Sequence, residues 1–197
     1  MRFRLEIPPG VLHPGHFASS QFLATHLATL PHQKKRMADI GTGSGFLALV
    51  AASRGAAVTA LDINPQAVIC ARDNAARNGL ADRITAIESD VFGALPEGAR
   101  FDYVVTNPPF YPRDARDPGD QAFAAGARYE FFITLTRQIR SRLTQDGALI
   151  LVQSSDVDFA PIAHMLASRG LAERSVRHER SLFETLSIRE YRFALAS

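Results

Sequence analysis

One short stretch constrains this chain more than any other. Met37–Ile40 reads as a buried strand, and Gly45–Arg54 reads as a helix. Only Gly41-Thr42-Gly43-Ser44 lies between them. A strand that passes straight into a helix does not return as a hairpin; its next partner lies parallel, after a crossover. The chain repeats that rhythm. Strands are expected over Ala57–Asp62, Ile84–Glu88, Phe101–Thr106 and Ala148–Gln153, the last after a turn at Gln145-Asp146-Gly147. Helices are expected over Pro65–Asn78, Tyr129–Leu143 and Val157–Ser168. Asn107–Arg128 reads as a loop, rich in Pro, Gly and charge. Leu171–Glu179 and Thr185–Ala194 read as two final strands close enough in sequence to pair antiparallel. The fold class is therefore α/β: an open, doubly wound, seven-stranded, mostly parallel sheet with an antiparallel last strand. Segment 1–35 is expected as an N-terminal lid or helical segment and 36–197 as the ligand-binding part, together forming one compact domain.

Composition narrows the class. A chain of 197 residues with 46% hydrophobic and 21% charged residues is ordinary for a globular protein. No apolar run is long enough to span a bilayer. The opening M-R-F-R-L-E-I-P-P-G lacks the apolar stretch of a secretory signal. A cytoplasmic protein with no membrane partner is the expectation. Cys70, without a second cysteine, excludes an internal disulfide. No metal-ligand spacing accompanies His164 or His178, so no metal is expected. The net charge of +2 is a weak hint of an anionic partner, and basic clusters such as His32–Arg36 read as solvated faces.

Ligands of such sheets bind at the carboxyl ends of the strands, and polar motifs recur there. Asp39-Ile40-Gly41-Thr42-Gly43-Ser44-Gly45 closes the first strand and opens a helix. Its glycines let a ligand approach the main chain, and the helix start offers unpaired N–H groups. Asp62 ends the second strand, where a carboxylate can accept both ribose hydroxyls. Asp90 follows the third, in Ser89-Asp90-Val91, placed to take an adenine amine hydrogen. These residues describe a track for adenosine linked to a group without phosphates. A nicotinamide-dependent oxidoreductase would carry G-x-G-x-x-G and a Tyr-x-x-x-Lys pair, and neither is in the chain.

Asn107-Pro108-Pro109-Phe110 follows the fourth strand. Two prolines fix φ and remove two N–H donors, and Pro108 pushes Asn107 out of the helical region. A stiff turn of this kind can present the Asn107 side-chain oxygen and the Pro108 carbonyl as paired acceptors for the two hydrogens of a flat –NH₂ group. Phe110 can stack on a planar substrate. Tyr111, Arg113 and Arg116 can grip an anionic one. His16, Phe17 and Ser19 can close over the site, or Ser19 can simply cap a short helix.

D-I-G-T-G-S-G with its strand-end Asp62 resembles motifs I and II of the class I S-adenosylmethionine-dependent methyltransferases. N-P-P-F resembles motif IV of those that modify amino groups: nucleobase amines in DNA or RNA, or the glutamine amide of release factors. Val11–Phe17 is similar to the V-L-x-P-R-P-E-T segment of release-factor glutamine methyltransferases, and Gln121–Phe132 to their A-L-x-G-G-x-D-G-L-x-F-Y stretch. Gly15, His16 and Phe17 depart from the Arg-Pro-Glu character of the first, and only Gly126 remains of the glycine pair in the second. With about 35 residues before the first strand, no counterpart of their N-terminal helical domain is expected, and small-domain RNA methyltransferases fit equally well. The resemblance implies S-adenosyl-L-methionine as cofactor, held by Asp39, Gly41, Thr42, Gly43 and Gly45 at its methionine part, Asp62 at the ribose, and Ile63, Asp90 and Val91 around the adenine, with Asn107 beside the sulfonium. It implies Asn107, Pro108 and Phe110 as catalytic residues, and Phe110, Tyr111, His16 and Phe17 as substrate-binding. The implied activity is N-methyl transfer to a planar nitrogen, of an RNA base or a protein glutamine. The alternatives are a methyltransferase acting on a small-molecule amine or other nucleophile, and a noncatalytic cofactor-binding module.

Overall fold

In the central strands, neighbouring residues point to opposite faces of the sheet, and both faces are apolar. The computed structural model describes residues 2–116, 120–180 and 184–194. Its strands are β1 (Arg36–Ile40), β2 (Ala57–Asp62), β3 (Ile84–Glu88), β4 (Phe101–Thr106), β5 (Leu143–Ser154), β6 (Leu171–Arg180) and β7 (Thr185–Phe193). They form one sheet in the order β3-β2-β1-β4-β5-β7-β6. β1 to β5 pair parallel; β7 runs antiparallel to both β5 and β6.

The helices are α1 (Ala18–Leu27), α2 (Phe46–Ser53), α3 (Pro65–Arg77), α4 (Glu130–Arg142) and α5 (Ala160–Ala167). Met37, Val105, Ile150 and Ile188 point to one face, where Leu23 and Leu27 of α1 and Leu49 of α2 cover them. Ala38, Val104, Leu149 and Leu151 point to the other, under Phe132, Leu135 and Ile139 of α4 and Ile162 and Leu166 of α5. Strands buried on both faces lose the apolar–polar alternation of half-exposed strands, which is why the sequence shows continuous apolar runs. The link from β3 to β4 carries no helix; Phe92 and Leu95 cover the second face there.

Segment 1–35 divides in two. The helix α1 is part of the core, with Leu23 and Leu27 fully buried. Of the residues before it, Arg4 and Glu6 lie against α3 and its C-cap, and Pro14–His16 form a 3-10 turn. The Asn78 side chain pairs with both the N–H and the C=O of Arg4, at 2.9 and 2.8 Å. Asn74 does the same for Glu6, at 2.9 and 3.2 Å.

Two elements differ from their expected limits by more than one residue. The Gln145-Asp146-Gly147 turn lies inside β5 as a bulge: Phe101 pairs with Leu143, and Tyr103 already with Ala148. A Cβ on Gly147 would sit 2.9 Å from the Phe101 carbonyl, so the backbones approach where only glycine fits. α5 starts at Ala160, not Val157, because the Asp158 carboxylate accepts the Ala160 N–H at 2.9 Å and Pro161 suits only the first turn. Among the described residues no helix is long and apolar enough to cross a membrane, and no cluster of His, Cys, Asp and Glu could hold a metal.

Candidate active site

The carboxyl ends of β1, β2, β3 and β4 meet around one cleft of about 360 Å³, a size suited to a small organic ligand. Gly41, Thr42 and Gly43 line it. Gly43 has φ +54°, and a Cβ there would meet nothing within 4 Å. Its glycine is therefore set by the left-handed backbone, not by crowding. Gly45 is the opposite case. It opens α2 with φ +79°, and a Cβ would lie 3.0 Å from the Ala71 Cα, so it serves the contact of α2 with α3 and is not part of the cleft lining.

Asp39 lies beneath the loop, 1% exposed, and does not line the cleft. Its Oδ2 accepts the Thr42 hydroxyl at 2.7 Å, while Oδ1 has no partner among the described residues. Burial pushes its pKa up to about 7, against the opposing pull of the Thr42 bond. Asp62 does line the cleft. Its two oxygens accept the N–H groups of Gly43 and Asn64, each at 2.9 Å. A carboxylate has about four acceptor sites, so about half of its capacity remains for a ligand. Burial raises its pKa, and these backbone bonds oppose the rise. Ile63 beside it is 55% exposed, an apolar surface at the cleft. Asp90 and Val91 line the same cleft. Val91 is held at φ +50°, an uncommon conformation for a β-branched residue. The adjoining turn is closed by the Gly93 N–H on the Asp90 carbonyl, at 2.9 Å.

The N-P-P-F turn is split. Asn107 and Pro109 line the cleft. Pro108 is buried, and Phe110 is half-buried against the core under the first sheet face; neither lines the cleft. The ends of β1 and β4 are tied by the Thr106 hydroxyl on the Ile40 carbonyl, 3.0 Å. That bond sets Asn107 beside the glycine loop. The Asn107 Nδ2 donates to Ser19 Oγ at 3.2 Å and Ser20 Oγ at 3.0 Å. Its Oδ1 has no partner among the described residues.

The rest of the rim is built by distant segments. Gly10, Val11, Leu12 and Pro14 form one part of the lining, and Glu130, Phe131 and Thr134 of α4 another. Phe17 packs against Phe123 in a tilted ring contact, centroids 5.7 Å apart, rather than lining the cleft. Phe17 is also the N-cap of α1; Ser19 lies inside the helix and does not cap it. The His16 side chain lies outside the described residues. Tyr111 is 43% exposed, and its main chain exchanges hydrogen bonds with Phe123 and Ala125 at 2.9 and 2.8 Å. Arg113 and Arg116 both pair with Asp120, whose carboxyl they hold well below the usual range. Among the described residues no Lys or Arg lines the cleft.

An open, doubly wound sheet with a glycine loop and two acidic strand ends around one cleft defines a nucleoside-binding class of α/β protein. Residues 5–179 match the methyltransferase small domain family, and the chain belongs to that family. The chain is 36% identical over 127 residues to a tRNA1(Val) (adenine(37)-N6)-methyltransferase of Porphyromonas gingivalis, covering 60% of this chain and 49% of that protein. It is 43% identical over 144 residues to a release factor glutamine methyltransferase of Chlorobaculum tepidum, covering 66% and 49%. The solved 16S rRNA N2 G1207 methyltransferase of Thermus thermophilus, in complex with AdoMet and guanosine, superposes with a TM-score of 0.61 at 25% identity, covering 94% of this chain and 43% of that one. The chain spans about half the length of the two sequence relatives.

Sequence reasoning missed Ser20, Glu130 and the buried Asn74. Asn74 is fully buried, and besides binding Glu6 it donates to the Ser44 carbonyl at 3.0 Å. Nothing local marks these residues. The available signals were Val11–Phe17 and Gln121–Phe132, whose likeness to segments of related enzymes pointed to stretches from which Val11, Leu12, Pro14, Gly126 and Glu130 line the cleft.

Proposed function

We propose that this chain is an S-adenosylmethionine-dependent N-methyltransferase that acts in the cytoplasm on a planar –NH₂ group, of an RNA base or a protein glutamine. The observation that carries the reading is Asn107, set beside the glycine loop in one cleft with its oxygen unpartnered. The relatives that methylate adenine N6 or a glutamine amide support both acceptor classes.

The cleft fits the cofactor on its own chemistry. Asp62 has acceptor capacity left for ribose hydroxyls, Ile63 offers an apolar face for the adenine, and among the described residues the lining has no Lys or Arg to meet a diphosphate. When bound, S-adenosylmethionine supplies a methyl carbon on a sulfonium, a good leaving group. The protein's own task is positioning. Asn107 Oδ1 accepts a hydrogen of the –NH₂ and turns its lone pair toward the donor. Positioning supplies up to roughly 7–11 kcal/mol in ideal intramolecular cases. The nitrogen becomes acidic once methylated, so its proton leaves to water without a strong base at the site. Residues 10–17 act as the lid over the acceptor.

Asn107→Ala is expected to lower methyl transfer by about 10²–10³-fold, the scale of removing one preorganised polar group from a reacting centre. The measurement is tritiated-methyl incorporation into tRNA, rRNA and protein fractions from a strain lacking the gene. Label confined to one fraction identifies the acceptor class. An Asn107→Ala variant with undiminished transfer would overturn the reading.

A further inference from the structure

Two serines stand 87 and 88 residues before the N-P-P-F turn and both meet the same amide nitrogen. They occupy consecutive positions in the first turn of α1, where neither caps the helix. α1 is anchored in the core by Leu23 and Leu27. One –NH₂ has two hydrogens, and here two hydroxyl oxygens stand at 3.2 and 3.0 Å to take them. With that end of the amide saturated, rotation about the last side-chain torsion is blocked, and the other end, Oδ1, is held as an acceptor at the cleft.

We propose that Ser19 and Ser20 are positioning residues that fix the Asn107 amide with its oxygen toward the acceptor, so that the site selects a nitrogen still bearing hydrogen over a ring nitrogen that presents only a lone pair. The proposal rests on the N-methyltransferase reading above. A free amide could turn its –NH₂ into the cleft and hydrogen-bond a bare ring nitrogen, blocking the lone pair that has to attack. A fixed oxygen repels such a nitrogen and draws in an amine or amide hydrogen. Neither serine acts on the methyl group; both act through Asn107.

The test compares the full-length wild type with Ser19→Ala/Ser20→Ala and with Ser19→Thr/Ser20→Thr, each alone and combined with Asn107→Ala. The alanine pair is expected to lower kcat by about 10-fold or more, the scale of losing hydrogen bonds that hold a reacting group. S-adenosylhomocysteine affinity should stay unchanged, and threonine, which keeps both hydroxyls, should restore the rate. In the Asn107→Ala background the serine substitutions should cost nothing further. An equal loss in that background, or no loss in the wild-type background, overturns the proposal. An inactive Asn107→Ala beside a fully active alanine pair sinks this proposal alone; an active Asn107→Ala sinks the parent reading as well. A second readout needs no acceptor. The side-chain ¹⁵NH₂ signal of Asn107, assigned by its absence in Asn107→Ala, should exchange with water faster in the alanine pair than in the wild type or the threonine pair. Equal exchange in all three overturns the proposal.

Discussion

On the glycine side of the cleft, shape is set by main-chain N–H groups held by one neighbouring strand. The N–H groups of Gly41 and Thr42 both reach the Leu61 carbonyl, at 2.8 and 3.0 Å, and the Gly43 N–H reaches Asp62 at 2.9 Å. All these partners lie within one βαβ unit. On the opposite side Asn107 is held by serines 87 and 88 residues away, and the cleft rim by a Phe17–Phe123 contact. The first side therefore forms as the sheet forms. The second forms only when the N-terminal segment, α1 and the loop after β4 are all in place, so it is the side that local opening reaches first. That division suits a binder whose cofactor subsite is permanent and whose acceptor subsite has to open and close.

The glycine side has one internal tension, and removing it gives the largest effect. Asp39 is completely buried with an unpartnered Oδ1. Its pKa is about 7 in the folded chain against an ordinary value of 3.8. Between those values the folded state holds a proton that the unfolded state has released. Stability therefore falls as pH rises from about 4 through 7 and is flat beyond. The interval from 3.8 to about 7 corresponds to roughly 4 kcal/mol. In Asp39→Asn the amide oxygen keeps the Thr42 bond and no charge has to be buried. Urea unfolding of the ligand-free protein should show the variant more stable than wild type by a few kcal/mol at pH 8, with the gap closing toward pH 4. A gap that does not change with pH would mean that Asp39 does not titrate in this range.

Asn74 joins the two sides. Its side chain binds Glu6 of the N-terminal strap and the Ser44 carbonyl of the glycine loop from within the core. Asn74→Ala leaves the buried Ser44 carbonyl and the part-buried Glu6 main-chain groups without this partner, at a cost of about 3 kcal/mol. For a domain of this size that is roughly 6–12 °C in Tm. Calorimetry checks it. If the strap and the glycine loop were independent, the variant would lose stability without losing affinity for S-adenosylhomocysteine; coupling predicts that both fall together.

The same division explains what the sequence made legible. The glycine loop, Asp62 and Asp90 were readable because their geometry is local: a strand, a turn that needs positive φ, a helix. The Asn107 turn was readable because two prolines restrict it whatever surrounds them. The mostly parallel sheet and its reversed last strand followed from runs of apolar residues and their spacing, whereas the order of the strands came only with the structure. Other features depend on where distant backbone arrives. The Gly147 bulge exists because the Phe101 carbonyl comes within 2.9 Å of where a Cβ would be. Arg113 and Arg116 read as free to grip a ligand until Asp120 is placed between them. Phe110 carries an aromatic signal whichever way its ring turns, and tertiary packing turned it to the core. Pairs such as Asn107 with Ser20, or Asn74 with Glu6, leave no periodic trace in one sequence.

The smallest expected effect tests whether the rim acts as one piece. Phe17 and Phe123 meet at 5.7 Å with planes 54° apart. Such a pair contributes about 0.5–1.5 kcal/mol beyond its burial. Phe123→Ala should therefore leave S-adenosylhomocysteine binding intact and raise KM for the acceptor about two- to tenfold. Phe17→Ala should do the same, and the double variant should be no worse than either single one, because each removes the same contact. Additive losses would mean that each ring touches the acceptor by itself. The rim would then be a binding surface with two separate contacts, and the contrast with the glycine side would be one of chemistry, not of rigidity.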